Sequence, residues 1–87
     1  METRVAVISV ILDCGDAAPL LNGLLHEYRD WIIGRMGIPY KAKGVCIVSV
    51  ALDAPQDVIA ALSGKIGKIE GASVKTSYSS LVTKEDM

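Results

Sequence analysis

The sequence predicts an α+β domain whose elements follow in the order βαββαβ, and two observations lead to this prediction. First, Val5–Leu12 and Val45–Leu52 are uncharged runs that each contain one polar side chain, Ser9 or Ser49. Runs of this kind are typical of central strands that are covered on both faces. Second, the segments after these two runs repeat their apolar residues with the period of an α-helix. A further strand-like segment follows each helix, which completes the order.

Length and composition indicate one small domain with an aliphatic core. Of 87 residues, 51% are hydrophobic, only 5% are aromatic and none is Phe. We assign residues 1–80 to the domain and residues 81–87 to a polar C-terminal tail. Nine basic and ten acidic residues give a net charge of −1. Direct nucleic-acid binding and binding to an anionic membrane are therefore not expected, because both need a basic surface.

Both helices are predicted from apolar stripes. The first begins with Asp16 as its N-cap and continues to about Tyr28. Its stripe comprises Leu20, Leu21, Leu24, Leu25 and Tyr28. The second begins within Asp53–Asp57, where Pro55 suits the first turn. Its stripe comprises Val58, Ile59, Leu62 and Ile66.

The two predicted edge strands differ from the central strands in carrying polar side chains. Trp31–Met36 contains Arg35, and Pro39 excludes a central strand shortly afterwards, so we expect an extended edge that becomes a loop. Ala72–Tyr78 alternates between polar and less polar residues, as expected of an edge with one wet face. From Ser79 onward the sequence is polar and aperiodic, and we expect a loose tail.

This element order is that of the ferredoxin-like fold, an antiparallel four-stranded sheet with both helices on one face. Right-handed crossovers place the first and third strands in the centre, flanked by the fourth and the second. The other face would be bare and apolar, so we expect a homo-oligomer, a dimer or tetramer, formed through the helix-free face or the sheet edges. The residues expected on the helix-free face are Val5, Val7, Ser9, Ile11, Val45, Ile47, Ser49 and Ala51. Those expected to meet the helices include Ile8, Val10, Leu12, Val48 and Leu52.

Few residues are capable of chemistry. Cys14 and Cys46 are too few for a disulfide framework and are predicted to be free thiols of a cytoplasmic protein, Cys46 in the core and Cys14 in an exposed turn. His26, the one histidine, falls on the polar side of the first helix, where no Ser-His-Asp arrangement can be built. Cys14 is followed by Gly15 and Asp16 rather than by a second cysteine, so no metal or other cofactor is expected.

Other functions found on this topology conflict with the residues present. An RNA-recognition module stacks bases on aromatic side chains of the two central strands, which here carry none. A phosphate-binding loop after the first strand would need a basic residue, and Asp13–Asp16 supplies acids instead. Val5–Leu12 is too short to span a bilayer and does not follow the pattern of a secretory signal, so no membrane association is expected.

One cluster after the second strand has the composition of an anion site. Arg35, Lys41 and Lys43 lie near Tyr40 in the sequence, and cations beside a phenol can hold a carboxylate or another small anion. The same residues also fit a solvated loop that blunts an edge strand. Both interpretations stay open on these residues alone.

The chain also carries motifs in four stretches: LLHEY at 24–28, IIGRMGIPY at 32–40, IAALSGKIGK at 59–68, and Gly71 with VKT at 74–76. Together they resemble a family of small proteins named as regulators of an iron-only hydrogenase system. IIGRMGIPY is the more specific motif, and the likeness covers nearly the whole chain up to about Ser80.

This resemblance implies an ACT-like fold, similar to the ligand-sensing domain of the nickel-responsive regulator, which assembles through its sheets. Cys46 falls where that regulator has a metal-binding cysteine, but the strand and loop before Cys46 carry no histidine, so nickel sensing is not implied. In ACT domains the effector sits near the first strand–helix turn at a subunit interface. That location and the cationic bend give the candidate ligand-binding residues Cys14, Gly15, Asp16, Arg35 and Tyr40.

The preferred prediction is a non-enzymatic regulatory protein that binds a small-molecule effector at the interface of a homo-oligomer. One alternative is a metal- or redox-handling accessory protein that uses Cys14, Cys46 and His26. Another is a module that acts only by binding another protein.

Overall fold

A computed structural model describes residues 1–84 of the chain. The elements are β1 (Glu2–Asp13), α1 (Ala17–Glu27), β2 (Ile32–Tyr40), β3 (Val45–Ala54), α2 (Gln56–Gly67) and β4 (Ala72–Lys84). Short 3-10 helices, Arg29–Trp31 and Lys41–Lys43, flank β2. The predicted order βαββαβ is confirmed. None of the helices within residues 1–84 is long and apolar enough to cross a membrane.

The four strands form one antiparallel sheet in the order β2-β3-β1-β4. This is the ferredoxin-like arrangement, and the two strands that contain the uncharged runs Val5–Leu12 and Val45–Leu52 are in the middle as predicted. The register of β1 and β3 places Ser9 opposite Ser49 and Ile11 opposite Ile47. The apolar rows of the two central strands are therefore aligned across the sheet, because directly opposed side chains share a face.

The core lies between the sheet and the two helices. The buried strand residues are Ala6, Ile8, Val10, Leu12, Val48, Val50, Leu52 and Ala54, and the buried helix residues include Leu21, Leu25, Ile59, Leu62 and Ile66. The prediction that Ile8, Val10, Leu12, Val48 and Leu52 meet the helices is therefore confirmed. The hydroxyl groups of Ser63 and Thr76, 2.8 Å apart, form a half-buried hydrogen bond between α2 and β4.

Two strands are longer than the sequence predicts. β2 continues through Pro39 to Tyr40, because an edge strand tolerates a residue without an N–H. β4 continues to Lys84, where it pairs with the start of β1 after an irregularity in register between Arg4 and Ala6. The loose tail expected from Ser79 is therefore wrong as far as Lys84, and the predicted domain boundary at residue 80 falls within this strand. Residues 85–87 of the predicted tail lie outside the described residues.

Candidate functional site

The turn between β1 and α1 is held by the segments that precede β3 and β4. The N–H of Cys14 donates to the carbonyl of Gly44 (3.2 Å), and the N–H of Asp13 donates to the carbonyl of Gly71 (3.3 Å). Within the turn, the N–H of Gly15 donates to Oδ1 of Asp13 (3.1 Å). The N–H groups of Asp13, Cys14 and Gly15 are thus engaged with the protein itself.

An acidic cavity lies beside this turn. Its volume is about 330 Å³, and its lining residues are Asp13, Asp16, Glu70 and Gly71. The three carboxylates are exposed and repel an anion. Among residues 1–84, no three His, Cys, Asp or Glu side chains are grouped so that they could hold a metal ion. The turn therefore offers neither an anion cradle nor a metal centre by itself.

A disulfide bond joins Cys14 and Cys46, whose Cα atoms are 5.2 Å apart, so the prediction of two free thiols is wrong. The register of β1 and β3 is the cause, because it places Leu12 opposite Cys46 and the turn after β1 next to the start of β3. The sequence held a signal of this pairing: one cysteine follows a central strand and the other begins its antiparallel neighbour. A disulfide leaves neither sulfur available as a thiolate ligand.

His26 is distant from the disulfide. It lies in the last turn of α1, about 13 Å along the helix axis from Ala17 at a rise of ~1.5 Å per residue. Its side chain is exposed, and its backbone carbonyl accepts a hydrogen bond from Nη1 of Arg29 (2.9 Å). The structure therefore does not bring together the three residues of the metal- or redox-handling alternative.

Arg35 and Tyr40, the other two predicted ligand-binding residues, lie on opposite faces of β2. Arg35 is opposite Val50, whose side chain is buried against the helices. Tyr40 is opposite Val45, which belongs to the helix-free face. The nearby Lys41–Lys43 helix is exposed. The predicted site is thus divided: the turn and Tyr40 share one end of the sheet, and Arg35 lies on the helix side.

Arg35 reaches across a gap between β2 and α1, where its Nη2 donates to Oδ1 of Asn22 (2.9 Å). Within the described residues, the guanidinium has no carboxylate partner. We name this gap the α1–β2 cleft; its volume is about 250 Å³. Its other lining residues are Leu12, Ala18, Leu21, Gly37, Ile38, Pro39, Cys46 and Val48. Sequence patterns did not single out Asn22, whose one signal is a polar residue beside the apolar stripe of α1.

The helix-free face is the second surface with a distinctive composition. Ser9 and Ser49 lie at its centre, with Lys75 of β4 opposite Ser9 and Met36 of β2 opposite Ser49. Six of its larger side chains are 40% to 58% exposed: Val5, Ile11, Met36, Ile38, Tyr40 and Ile47. A shallow cavity of about 250 Å³ lies beside Ser9, Ser49 and Lys75. The positions of Val5, Ser9, Ile11, Ile47 and Ser49 confirm the predicted face of the two central strands, and the residues of β2 and β4 are additions that the pairing reveals.

A fourth depression, of about 500 Å³, lies between α1 and α2 and is lined in part by Glu27, Lys65 and Lys68. Nζ of Lys65 lies 5.1 Å from the centre of the Tyr28 ring. Hydrogen bonding to this phenol raises the pKa of Lys65, which keeps the ammonium charged. The exposed charges of both signs make this depression a solvated helix surface.

The sequence and the fold identify the family. The model of the TM1266-like family, described as "Iron-only hydrogenase system regulator, putative", matches residues 4–76. The chain belongs to the TM1266-like family. The resemblance noted from the sequence motifs is thus confirmed.

One solved structure is similar to this TM1266-like chain over nearly its whole length. The uncharacterized protein TM1266 from Thermotoga maritima is 34% identical, with a TM-score of 0.84 over 87% of this chain and 96% of that chain. No curated protein matches the chain.

A formyltetrahydrofolate deformylase from Pseudomonas putida KT2440 is similar to this TM1266-like chain in fold only. The TM-score is 0.61 at 13% identity, over 84% of this chain and 28% of that chain. The similar region is a minor part of the deformylase, and it indicates the fold of this chain but not its activity.

Proposed function

We propose that the protein is a cytoplasmic, non-enzymatic regulator of an iron-only hydrogenase system. It works as a homo-oligomer, a dimer or tetramer, and binds a small ligand near the subunit interface. The description of the family supports the regulatory role. The observation that carries the assembly is the exposed apolar surface of the helix-free face.

The size of this face fits a subunit interface. Four strands ~4.8 Å apart and about ten residues long, at ~3.3 Å per residue, give an area on the order of 600 Å². Standard interfaces bury about 800 Å² per partner. Monomers rarely expose a contiguous apolar patch of more than a few hundred Å². A mostly apolar face of this size is therefore typical of a surface that is covered.

A second copy of the chain fits this face best. In a two-fold interface the same patch meets itself, so the patch must be self-complementary. The helix-free face meets this condition because Ser9 and Ser49 at its centre are uncharged and lie beside the apolar row of Ile11 and Ile47. Lys75 lies at the β4 margin, where its aliphatic stem can cover apolar surface while its ammonium group stays in water.

Of the predicted ligand-binding residues, we expect the turn residues and Tyr40 to lie near the edge of this interface, and Arg35 to lie apart from it on the helix side of β2. Tyr40 lies on the helix-free face at the end of the sheet where β1 meets the turn of Cys14, Gly15 and Asp16. A ligand at this end contacts both the turn and the margin of the covered face. Its binding and the association of the subunits are then linked, because each changes the equilibrium of the other.

Two acidic variants test the assembly. Ile47→Asp places a charge in the helix-free face, and Leu20→Asp makes a matched change at an exposed leucine of α1. We expect light scattering after size-exclusion chromatography to give a dimer or tetramer for the wild type and for Leu20→Asp. Ile47→Asp should be a monomer, because an unpaired carboxylate is costly to bury. Dissociation by Leu20→Asp instead of Ile47→Asp would contradict the proposed interface.

The regulatory role is tested separately in cells that contain an iron-only hydrogenase. Deletion of the gene should change hydrogenase activity or transcript level, wild-type protein should restore it, and Ile47→Asp should not. Activity and transcripts that are unchanged by the deletion would contradict the regulatory role without affecting the result on assembly.

A further inference from the structure

We propose that the α1–β2 cleft binds a small carboxylate that has an apolar group and no ammonium group, and that Arg35 pairs with its carboxylate. This site lies within one subunit and is separate from the turn and Tyr40. A second part of the proposal rests on the proposed function: occupancy of the cleft changes subunit association, because β2 separates the cleft from the helix-free face.

The cleft exists because β2 presents little side-chain volume toward α1. Gly37 lies opposite Val48 of the core, and a Cβ placed on this glycine would meet no atom within 4 Å. The cleft volume of about 250 Å³ is roughly eight times the ~30 Å³ that one water molecule occupies in the liquid. This is room for an acid with a branched chain or a single ring.

The walls of the cleft suit an apolar group. Leu12 and Val48 come from the central strands, and Leu21 and Ala18 come from α1. Pro39 completes the β2 side. Binding sites for small molecules are mostly apolar with a few placed polar groups, and here the polar groups are the side chains that bridge α1 and β2. Transfer of an alkyl or aryl group from water to these apolar walls is favourable.

Arg35 supplies the polar contact. A guanidinium has five N–H donors in a planar fork, and one of them is bonded to Asn22. Within the described residues, no acid pairs with this charge. The free donors can therefore form the bidentate pair that arginine makes with carboxylates. The bond to Asn22 holds the guanidinium at the cleft, so little side-chain freedom is lost when the ligand binds.

The absence of acid from the lining sets the selectivity. None of the residues that line the cleft carries a carboxylate, so an ammonium group placed there would lose water without gaining a partner. Simple carboxylic acids should therefore bind better than the amino acids of the same side chain. The acidic cavity beside the first turn does not compensate, because its lining residues are different.

β2 connects the cleft to the proposed interface. Its alternate residues Arg35, Gly37 and Pro39 lie on the cleft side, and Met36 lies on the helix-free side. Ile38 pairs with Ile47 of the helix-free face and also contributes to the lining of the cleft. β2 is an edge strand that is hydrogen-bonded to β3 alone within the described sheet. A ligand that fills the gap to α1 therefore fixes the position of a strand that contributes apolar side chains to the interface.

Isothermal titration calorimetry with sodium 3-methylbutanoate and sodium benzoate tests the site. We expect both acids to bind one per subunit, and leucine and 3-methylbutylamine to bind at least roughly tenfold more weakly, because each lacks a partner for its ammonium group. Equal binding of leucine and 3-methylbutanoate, or no heat from either acid, would overturn the proposal.

Two variants locate the binding. Arg35→Gln should weaken benzoate binding roughly tenfold or more, since it removes a charge-assisted pair. Gly37→Val keeps Arg35 and should block binding by filling the cleft. Arg29→Gln is the matched control, because the Arg29 side chain is exposed and its guanidinium, within the described residues, is bonded only to the His26 carbonyl. Unchanged benzoate affinity in both Arg35→Gln and Gly37→Val would overturn the assignment of the site.

The solution mass with and without benzoate tests the coupling. We expect benzoate to shift the dissociation constant of the wild-type oligomer and to leave that of Arg35→Gln unchanged. If benzoate binding depends on Arg35 but does not shift the dissociation constant of the oligomer, the proposed coupling is wrong and the assignment of the binding site stands. A wild-type monomer at all concentrations would instead contradict the proposed function, while the calorimetry would still decide the site.

Discussion

Gly44 occupies a backbone conformation that other residues rarely adopt. Its φ is +65°, its N–H donates to the carbonyl of Lys41, and its own carbonyl accepts the N–H of Cys14. It therefore connects the end of the Lys41–Lys43 helix to the turn after β1. A Cβ at Gly44 would meet no atom within 4 Å, so any cost of a side chain there comes from the backbone conformation alone.

Alanine at two glycines should have opposite effects on stability. Gly44→Ala should lower the free energy of unfolding by about 1 kcal/mol. An alanine in the left-handed conformation costs ~1–2 kcal/mol, and this cost is partly offset because alanine reduces the conformational entropy of the unfolded chain. Gly23→Ala should raise it by ~0.5–1 kcal/mol, since Gly23 is inside α1 with open space around it. Urea unfolding at one fixed protein concentration measures both. Stabilisation by Gly44→Ala would contradict the left-handed conformation.

Single residues explain part of what sequence reasoning found and missed. Tyr40 stands out because only 5% of the residues are aromatic, and Arg35 stands out because it is a charged residue within the otherwise uncharged segment Trp31–Met36. Their separation to opposite faces follows from strand alternation, because they are five residues apart in one continuous strand, β2. The sequence analysis missed this because it expected the strand to become a loop near Pro39. The contribution of Gly37 is also invisible in the sequence, because an empty volume depends on the position of α1.

At the scale of elements, the disulfide ties the turn after β1 to the start of β3. The two cysteines are 32 residues apart in the chain, and this interval contains α1 and β2. Cys46 also lines the α1–β2 cleft. The bond therefore closes a loop that contains α1 and β2, the two elements on either side of the cleft, and it restricts the conformations of this loop in the unfolded chain.

Reduction should destabilise the protein by about 3–4 kcal/mol, the loop-closure estimate for an interval of this length. Urea unfolding with and without dithiothreitol measures the effect. The double variant Cys14→Ala/Cys46→Ala is the control, because reductant should not change its unfolding. Labelling of two free thiols in native protein prepared without reductant would contradict the bond.

The element boundaries divide into those that local patterns predict and those that pairing decides. The helices follow the apolar periodicity. The predicted stripes lie within α1 and α2 apart from Tyr28, which follows the last residue of α1, and the stripe residues are buried or half-buried apart from Leu20, which is exposed. The ends of β2 and β4 do not follow any pattern of their own. They extend because β3 and β1 offer continuous partners as far as Tyr40 and Lys84.

At the scale of the whole molecule, the sequence predicts most of the architecture. Two uncharged strands can occupy only the centre of a four-stranded sheet, and two amphipathic helices cover one face, so the strand order follows. The cysteine pairing could not be derived in the same way, since it needs the register as well as the order. The ligand site is the least predictable part, because it depends on distances between elements.

The central claim is that a second copy covers the helix-free face. Sedimentation equilibrium of the unmodified protein across the micromolar range tests it most directly. We predict a mass of at least twice the 9.2 kDa of one chain, with dissociation only on dilution. A single 9.2 kDa species that stays soluble and unassociated over the whole range would contradict the claim.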